Sequence, residues 1–286
     1  MTALRSLLFV PGNKENMLKK ALGFRPDAFV PDMEDSVPGA EKANARQTIA
    51  AFLPGLAESG VSVVPRVNAL DTGLAADDLA AVVGPYIYGV SIGKIDVPGD
   101  IRAVSELIGR LEREAGLEEG RIKLIPWLES ARAIVHCYEI CRASPRLVGV
   151  AFGGEDFTHD MGIERLEDES EVAFARSQLC IAARAAELLA LDTPYFRFRD
   201  EDGLRANSAA AKQTGFKGKF AIHPAQIEAI NAAFSPSAGQ IDYARRVVAA
   251  FEAAERAGRG STSLDGKVID VPVVKRARAL LELAGR

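Results

Sequence analysis

The chain has 286 residues, of which 48% are hydrophobic and 26% charged, so it can bury one sizeable core. Its net charge of −4 argues against a nucleic-acid partner, because nucleic-acid-binding proteins carry a basic patch or stripe. No run approaches the roughly 18 apolar residues of a membrane span, and Pro11 and Gly12 cut short the apolar stretch near the N-terminus, unlike a signal peptide. We therefore expect a cytoplasmic protein without a membrane partner.

Eight short apolar segments have the nearly continuous hydrophobicity of parallel strands that are covered on both faces. They are residues 6–10, 28–31, 61–67, 87–92, 122–128, 147–152, 189–192 and 219–222. Helical patterns separate them, over residues 14–22, 40–58, 101–114, 130–142, 170–190, 205–213 and 224–233. This alternation of strand and helix predicts a (β/α)₈ TIM barrel rather than an open sheet.

The barrel is expected to fill residues 1–234, and a C-terminal helical extension is expected over residues 235–286. A helical pattern over 240–257 is followed by the polar loop GRGSTSLDG, a short apolar turn and a final helix. This extension is more than a barrel needs. Either it packs on the barrel, or it forms a lid or an arm that docks on a neighbouring subunit.

Charged residues close many of the predicted strands. They are Asp35, Arg66, Lys94, Glu129, Asp156, Asp192 and His223. Because all strands of a parallel barrel end at the same rim, we expect these residues to converge on one mouth, where the chemistry of such barrels takes place.

Glu129 and Asp156 follow neighbouring strands of the predicted barrel, in PWLES and FGGEDF. Adjacent strands lie about 5 Å apart, so the two carboxylates can share one ion. Two carboxylates completed by water and substrate oxygens are typical of Mg²⁺. The alternative is that both acids only cap helices, since acidic residues favour helix N-termini.

Arg66 ends an otherwise apolar strand, where its planar fork suits the carboxylate of a substrate. The alternative is a structural ion pair with Glu34 or Asp35. Asp32, Glu34 and Asp35 crowd the end of the second strand, which is costly unless they are paired or lie near a cation. Gly153 and Gly154, before Glu155, permit close approach of the backbone to a ligand.

Seven motifs occur in order along the chain: RSLLFVPG, DMEDSV followed by KANAR, PRVN, PWLESARAI, FGGEDFTHDMG, GFKGKFAIHPAQI and DGKVIDVP. Together they resemble the citrate lyase beta subunit and malyl-CoA lyase family of acyl-CoA lyases, over residues 5–279. Gly93 departs from the pattern, because a proline often precedes the lysine there. Pro31 also departs, because an apolar residue is commoner at that position.

The resemblance implies a TIM barrel that uses Mg²⁺ to cleave or form a C–C bond in 3-hydroxyacyl-CoA thioesters. Glu129 and Asp156 match the metal ligands of the family, and Arg66 matches its substrate-carboxylate arginine. The remaining matched positions are Arg5 at the site, where we expect it to bind substrate, Asp32, Glu34 and Asp35 behind the metal, and Asp270 as a catalytic acid. Related lyases supply that acid from a neighbouring subunit, which implies a trimer or a multiple of one. Gly154 and Glu155 are expected to bind substrate because of the glycine pair, and not because of the resemblance.

The strand pattern alone places Arg5 at the start of the first strand, and therefore at the opposite rim from the other site residues. We expect a lyase for malyl-CoA, citramalyl-CoA or a close relative, acting on CoA thioesters and 2-oxo acids. Alternatives within the family are a malyl-CoA thioesterase, a citrate lyase beta subunit acting on citryl thioester, and an aldolase for 2-oxo acids that lacks CoA. A non-catalytic oligomeric scaffold is the alternative from another class.

Overall fold

The computed structural model describes residues 3–285 and confirms the parallel barrel. Its strands are β1 Ser6–Pro11, β2 Ala28–Asp32, β3 Ser62–Val63, β4 Arg66–Val67, β5 Gly89–Ile92, β6 Lys123–Leu128, β7 Gly149–Phe152, β8 Leu189–Asp192 and β9 Gly218–Ala221. Every pairing among them is parallel, and β1 pairs with both β2 and β9, which closes the sheet. The strands fill eight positions, because β3 and β4 share the third.

The predicted third strand, 61–67, is interrupted by Pro65. Proline cannot donate to a ladder, so the strand divides on either side of Val64 and Pro65. The second half is only two residues long, yet it fixes the register that matters for the site. Arg66 pairs with Asp32 of β2 on one side and with Ser91 of β5 on the other.

Helices follow most of the strands. They are α1 Glu15–Ala21, α2 Lys42–Glu58, α3 Ala75–Val82, α4 Pro98–Glu114, α5 Ala131–Val135, α6 Cys137–Cys141, α7 Gly154–Met161, α8 Ala173–Ala185, α9 Glu201–Thr214 and α10 Gln226–Phe234. The sequence pattern missed α3 and α7, and the helix that it predicted over 130–142 divides at His136. No helix within residues 3–285 is long and apolar enough to span a membrane.

The main core fills the interior of the barrel. Leu7, Ile125, Trp127, Leu191 and Phe220 belong to one buried cluster drawn from strands all round the sheet. The rings of Trp127 and Phe220 lie 4.3 Å apart between centroids. Since successive residues of a strand point to opposite faces, the neighbours of these core residues point outward to the helices.

The chain divides into two compact units, the first ending at Asn231 and the second beginning at Ala232. The second unit contains α11 Ala238–Arg256, an antiparallel hairpin of β10 Thr262–Leu264 and β11 Lys267–Ile269, and α12 Val271–Ala284. Its own core includes Val247, Phe251 and Ile269. The hairpin was not predicted, although Asp265 and Gly266, both with positive φ, are the Asp-Gly pair that favours a two-residue hairpin turn.

Candidate active site

Seven charged residues gather past the carboxyl ends of β2, β4, β5, β6 and β7. We call them the mouth cluster: Asp32, Glu34, Asp35, Arg66, Lys94, Glu129 and Asp156. Asp32 is fully buried and is the anchor of this group. Its carboxylate oxygens accept hydrogen bonds from Arg66 Nε at 2.7 Å and from Arg66 Nη2 at 2.8 Å. They also accept hydrogen bonds from the backbone N–H groups of Glu34 and Ser36. Burial acts to raise the pKa of Asp32, but Arg66 and these hydrogen bonds outweigh it and lower the pKa.

Arg66 is held by the acids of its own chain. Besides the two bonds to Asp32, its Nη1 lies 3.1 Å from Glu34 Oε2 and 3.1 Å from Asp35 Oδ2, and its guanidinium carbon lies 4.5 Å from the ring centre of Phe9. The structural ion pair that the sequence left open is therefore present. A role of Arg66 in binding a substrate carboxylate stays a prediction, and it would have to use the Nη1–Nη2 side.

Glu129 follows β6 and is buried beside other carboxylates. Its Oε1 accepts the backbone N–H of Lys94 at 2.7 Å. Burial, then the charges of Asp156 and Glu34, raise the pKa of Glu129 to about 8. Burial and the charge of Asp35 likewise raise the pKa of Glu34 to about 7, although Arg66 and Lys94 act in the opposite direction. Two buried carboxyl groups therefore lack enough positive charge around them.

Glycines leave the room that these carboxylates occupy. A Cβ on Gly93 would lie 2.8 Å from Glu34 Oε1 and 3.0 Å from Glu129 Oε1. A Cβ on Gly153 would overlap Glu129 Oε2 and lie 2.6 Å from Glu129 Cβ. Asp156 approaches from the first turn of α7, directly after this glycine. The local chain thus brings Glu34, Glu129 and Asp156 toward a common space.

The carboxylate oxygens around this space are suitable ligands for a hard divalent cation. Within residues 3–285, no three His, Cys, Asp or Glu side chains already form a group that could hold a metal ion alone. Mg²⁺ needs less than that, because it keeps several waters and is usually bound by one or two carboxylates. Glu129 and Asp156 are the carboxylates available as oxygen ligands, and burial beside like charges raises the pKa of Glu129.

Lys94 is a member of the mouth cluster to which the sequence assigned no role. Its Nζ lies 3.5 Å from Glu34 Oε1 and 4.0 Å from Asp35 Oδ1, and its backbone has a φ of 55°. The sequence signal was a lysine directly after an apolar strand. The positive φ cannot be seen in the sequence, because lysine does not favour it.

The structure does not bring every predicted residue to the mouth cluster. Arg5 precedes β1, at the amino end of the barrel, and its Nε and Nη2 each lie 2.8 Å from an oxygen of Asp27. This is the position expected from the strand pattern, so its geometry gives no support to the substrate-binding role implied by the resemblance. Gly154 and Glu155 adjoin Arg165, whose Nε lies 3.3 Å from Glu155 Oε1.

Asp192 corrects the expectation that all charged strand ends meet at one mouth. Because Leu191 points into the barrel, Asp192 points outward, where it binds Lys219 Nζ at 2.6 Å and Arg176 Nη2 at 2.8 Å. His223 instead stacks on Phe198 with a centroid distance of 5.0 Å. Asp270 lies in the second unit and caps α12 by accepting the N–H of Val273.

Comparison with known proteins identifies the family. Residues 5–224 match the HpcH/HpaI aldolase/citrate lyase family. The chain belongs to that family. It is 39% identical to citrate lyase subunit beta of Escherichia coli K12 over 280 residues, which cover 98% of this chain and 93% of the relative. It is 37% identical to a (3S)-malyl-CoA thioesterase of Cereibacter sphaeroides ATCC 17025 over 281 residues, 98% of this chain and 94% of the relative.

Solved structures of the family agree with the fold of this chain. The protein CitE of Mycobacterium tuberculosis, in complex with magnesium, acetoacetate and coenzyme A, superposes with a TM-score of 0.80 at 30% identity and covers 99% of both chains. The resemblance stated from the seven motifs is therefore confirmed. The HpcH/HpaI aldolase/citrate lyase family, to which the chain belongs, is of the lyase and aldolase type.

Proposed function

We propose that this chain is a Mg²⁺-dependent acyl-CoA lyase that cleaves or forms the C–C bond of a 3-hydroxyacyl-CoA such as malyl-CoA or citramalyl-CoA. The products of cleavage are a short acyl-CoA and a 2-oxo acid. The observation that carries the proposal is the excess of carboxylates in the mouth cluster, where burial and like charges raise the pKa of both Glu34 and Glu129. A bound divalent cation would remove that excess, and the CitE structure with magnesium and coenzyme A supports the choice of ion and thioester.

Glu129 and Asp156 are proposed to hold the ion. When bound, Mg²⁺ supplies Lewis-acid polarisation of the oxygens of the 2-oxo acid, an effect typically worth several kcal/mol. Arg66, fixed by Asp32, binds the carboxylate of the substrate on its Nη1–Nη2 side. Asp32, Glu34 and Asp35 orient Arg66 behind the cation site, while the glycine backbone at Gly154 and the neighbouring Glu155 would border the substrate.

Asp270 is proposed to move the proton at the α-carbon of the thioester. In cleavage, the hydroxyl group of the substrate passes its proton to solvent, from which Asp270 takes up the proton that it later donates, and the C–C bond breaks. The electron pair passes to the α-carbon, which then takes a proton from Asp270. In the synthetic direction, Asp270 removes that proton as a general base. We propose that Asp270 reaches the barrel mouth of a neighbouring subunit in a homotrimer or a multiple of it, as the resemblance implies.

Subunit mixing tests the shared site. Asp270→Asn subunits and Glu129→Gln subunits are each expected to be inactive, since one lacks the proton-transfer group and the other a cation ligand. Mixed oligomers would contain some sites that are intact in both residues and should regain turnover. The absence of recovery in subunits shown to have exchanged would mean that Asp270 acts on its own barrel or has no catalytic role.

A thioesterase is the second candidate, favoured by the 37% identical (3S)-malyl-CoA thioesterase. The same site would then deliver water to the thioester carbonyl. The E. coli relative raises a third possibility, action on a citryl thioester as a citrate lyase beta subunit. The second compact unit does not decide between them, because the E. coli beta subunit matches 98% of this chain.

The decisive experiment incubates the full chain and Mg²⁺ with a panel of 3-hydroxyacyl-CoA thioesters and identifies the products by mass spectrometry. A lyase gives an acyl-CoA and a 2-oxo acid, whereas a thioesterase gives free CoA and the hydroxy acid. Glu129→Gln is the matched control and should give neither. If no thioester is consumed, while the same preparation binds Mg²⁺ and is folded, the non-catalytic scaffold becomes the better description.

A further inference from the structure

Lys94 has a backbone conformation that costs free energy at the centre of the mouth cluster. A non-glycine residue with positive φ is uncommon, and such strain typically costs about 1–3 kcal/mol. In the described part of the chain the other non-glycine examples are Glu169, Glu187 and Asp265, and none of these belongs to the mouth cluster. Glycine would adopt the same φ without the cost. The lysine side chain must therefore be retained for another reason.

The left-handed backbone aims the N–H of Lys94 at Glu129. That N–H lies 2.7 Å from Glu129 Oε1. The adjoining segment is fastened to the end of β6, because the N–H of Ile95 donates to the carbonyl of Trp127 and Ser130 Oγ donates to Asp96. One oxygen of Glu129 is thus fixed by the backbone, and the absence of a Cβ on Gly153 leaves room for the other.

The ammonium group of Lys94 serves different partners. It contacts Glu34 and Asp35, and its side chain is 42% exposed, so it faces the open mouth. Within the mouth cluster, five carboxylates face only two cationic side chains, Arg66 and Lys94. Arg66 pairs with Asp32, Glu34 and Asp35, and its side chain is only 11% exposed. Lys94 is therefore the more open of the two cations, and an incoming anion meets it from solvent before it reaches Arg66.

We propose that Lys94 is a positioning residue whose two polar groups have separate tasks. Its backbone N–H, held in the left-handed conformation, orients Glu129 toward the divalent cation. Its ammonium group lowers the affinity of the site for that cation and raises the affinity for the anionic 2-oxo acid. The inference rests on the cation site of the proposed function, but it does not depend on the lyase reaction itself.

Three neutral variants separate these tasks. Lys94→Met keeps an unbranched side chain, Lys94→Val introduces a β-branched one that strongly disfavours positive φ, and Lys94→Gly relieves the strain. All three remove the ammonium group equally. Glu187→Val is the matched control, because Glu187 has a φ of 61° and is exposed in the turn after α8.

Direct binding is the measurement, with Mn²⁺ followed by calorimetry and by electron paramagnetic resonance on the full chain. Lys94→Met should bind Mn²⁺ several-fold more tightly than the parent chain and, at saturating Mg²⁺, should bind pyruvate more weakly. Lys94→Val should bind Mn²⁺ about 10–100-fold more weakly than Lys94→Met, the usual range for loss of an outer-shell partner of a metal ligand. Lys94→Gly should bind as tightly as Lys94→Met and melt at a higher temperature.

The control and the contrary outcomes are distinct. Glu187→Val should lower the melting temperature as Lys94→Val does, without changing Mn²⁺ affinity. Equal Mn²⁺ affinities of the Met and Val variants would overturn the backbone task. Cation and pyruvate affinities of Lys94→Met that equal those of the parent chain would overturn the ammonium task. If the parent chain binds neither Mn²⁺ nor Mg²⁺, the cation site of the proposed function fails, and this inference fails with it.

Discussion

Two charge networks in the barrel unit differ in their ratio of acidic to basic side chains. The mouth cluster has five carboxylates and two cations. The second network, which we call the outer network, lies between the strands and the helices. Its members are Arg165, Glu169, Glu171, Arg176, Asp192 and Lys219. Among these six residues the numbers of acids and bases are equal, and the exposed Glu155 is a further partner of Arg165. Asp192 and Lys219 are both completely buried.

The pKa shifts of the two networks follow from this difference. In the outer network, burial acts to raise the pKa of Glu169, but Arg176, Lys219 and Arg165 outweigh it and lower the pKa. In the mouth cluster, burial and the charges of Asp156 and Glu34 outweigh the effect of Arg66 and raise the pKa of Glu129. A buried network whose charges match is a structural element, whereas one with surplus carboxylates needs a cation from outside.

A cavity of about 450 Å³ borders the outer network, with Glu169, Arg176 and Tyr195 in its lining. Its volume is that of a small-molecule pocket. We nevertheless place the reaction at the mouth cluster, because Glu169, the partly buried acid in the lining of this cavity, already has Arg165 and Arg176 as cationic partners.

The largest expected effect is that of Glu129→Gln on turnover. The substitution removes one of the two proposed protein ligands, so the loss of several kcal/mol of transition-state stabilisation should lower the rate roughly a thousandfold or more. Because the glutamine also removes a surplus charge, the metal-free fold should be as stable as before at pH 8, or more stable. Steady-state kinetics and thermal unfolding measure the two effects. Normal turnover at limiting Mg²⁺ would contradict the ligand assignment.

Lys219→Met should have the opposite outcome. Removing one partner of a buried ion pair leaves an uncompensated charge and typically costs about 3–5 kcal/mol. Arg176 remains beside Asp192, so we expect a loss near the lower end, measured by urea unfolding. Mg²⁺ affinity in the folded protein should not change. A stable Lys219→Met variant with impaired cation binding would show that the two networks are not separate.

The barrel could be predicted from the sequence because eight apolar runs, separated by helical patterns at nearly constant spacing, are typical of this fold. Strand β8 was placed at 189–192, as observed. The site was predicted less completely, because a residue at the end of a strand can point either into the barrel or outward to the helices, and its position in the sequence does not decide which. Asp192 took the outer face because Leu191 took the inner one. The backbone of Lys94 and the space beside Gly93 depend on tertiary packing and have no one-dimensional signal.

The pH dependence of stability should also separate the networks. The folded pKa values of Glu34 and Glu129, about 7 and about 8, lie above their ordinary value of 4.5. These carboxyls therefore favour the fold when protonated. Their contribution is complete below about pH 4.5 and is lost as the pH rises through 7 and 8.

Metal-free protein should accordingly lose on the order of 4 kcal/mol between pH 6 and pH 9, measured by urea unfolding. Saturating Mg²⁺ should abolish this loss, because the cation takes the place of the protons. Glu129→Gln is the control, and it should show a smaller loss without Mg²⁺. A metal-free stability that rises over this range would mean that the surplus charge is balanced in another way.

The smallest expected effect comes from Gly93→Ala, and it tests how closely the carboxylates of the mouth cluster are fitted. The added Cβ would lie 2.8–3.1 Å from the oxygens of Glu34 and Glu129. These are the ends of flexible side chains, so they can move by a few tenths of an ångström without disrupting the barrel. Mn²⁺ affinity should fall only several-fold, with little change in melting temperature.

Gly55→Ala is the matched control, because a Cβ there meets nothing within 4 Å and the position lies inside α2. It should stabilise the fold by about 0.5–1 kcal/mol, since glycine is a poor residue for a helix interior, and it should leave Mn²⁺ binding unchanged. If Gly93→Ala binds Mn²⁺ as the parent chain does, the carboxylates have more room than their distances indicate. The departure from the family pattern at Gly93 would then have no part in setting the geometry of the cation site.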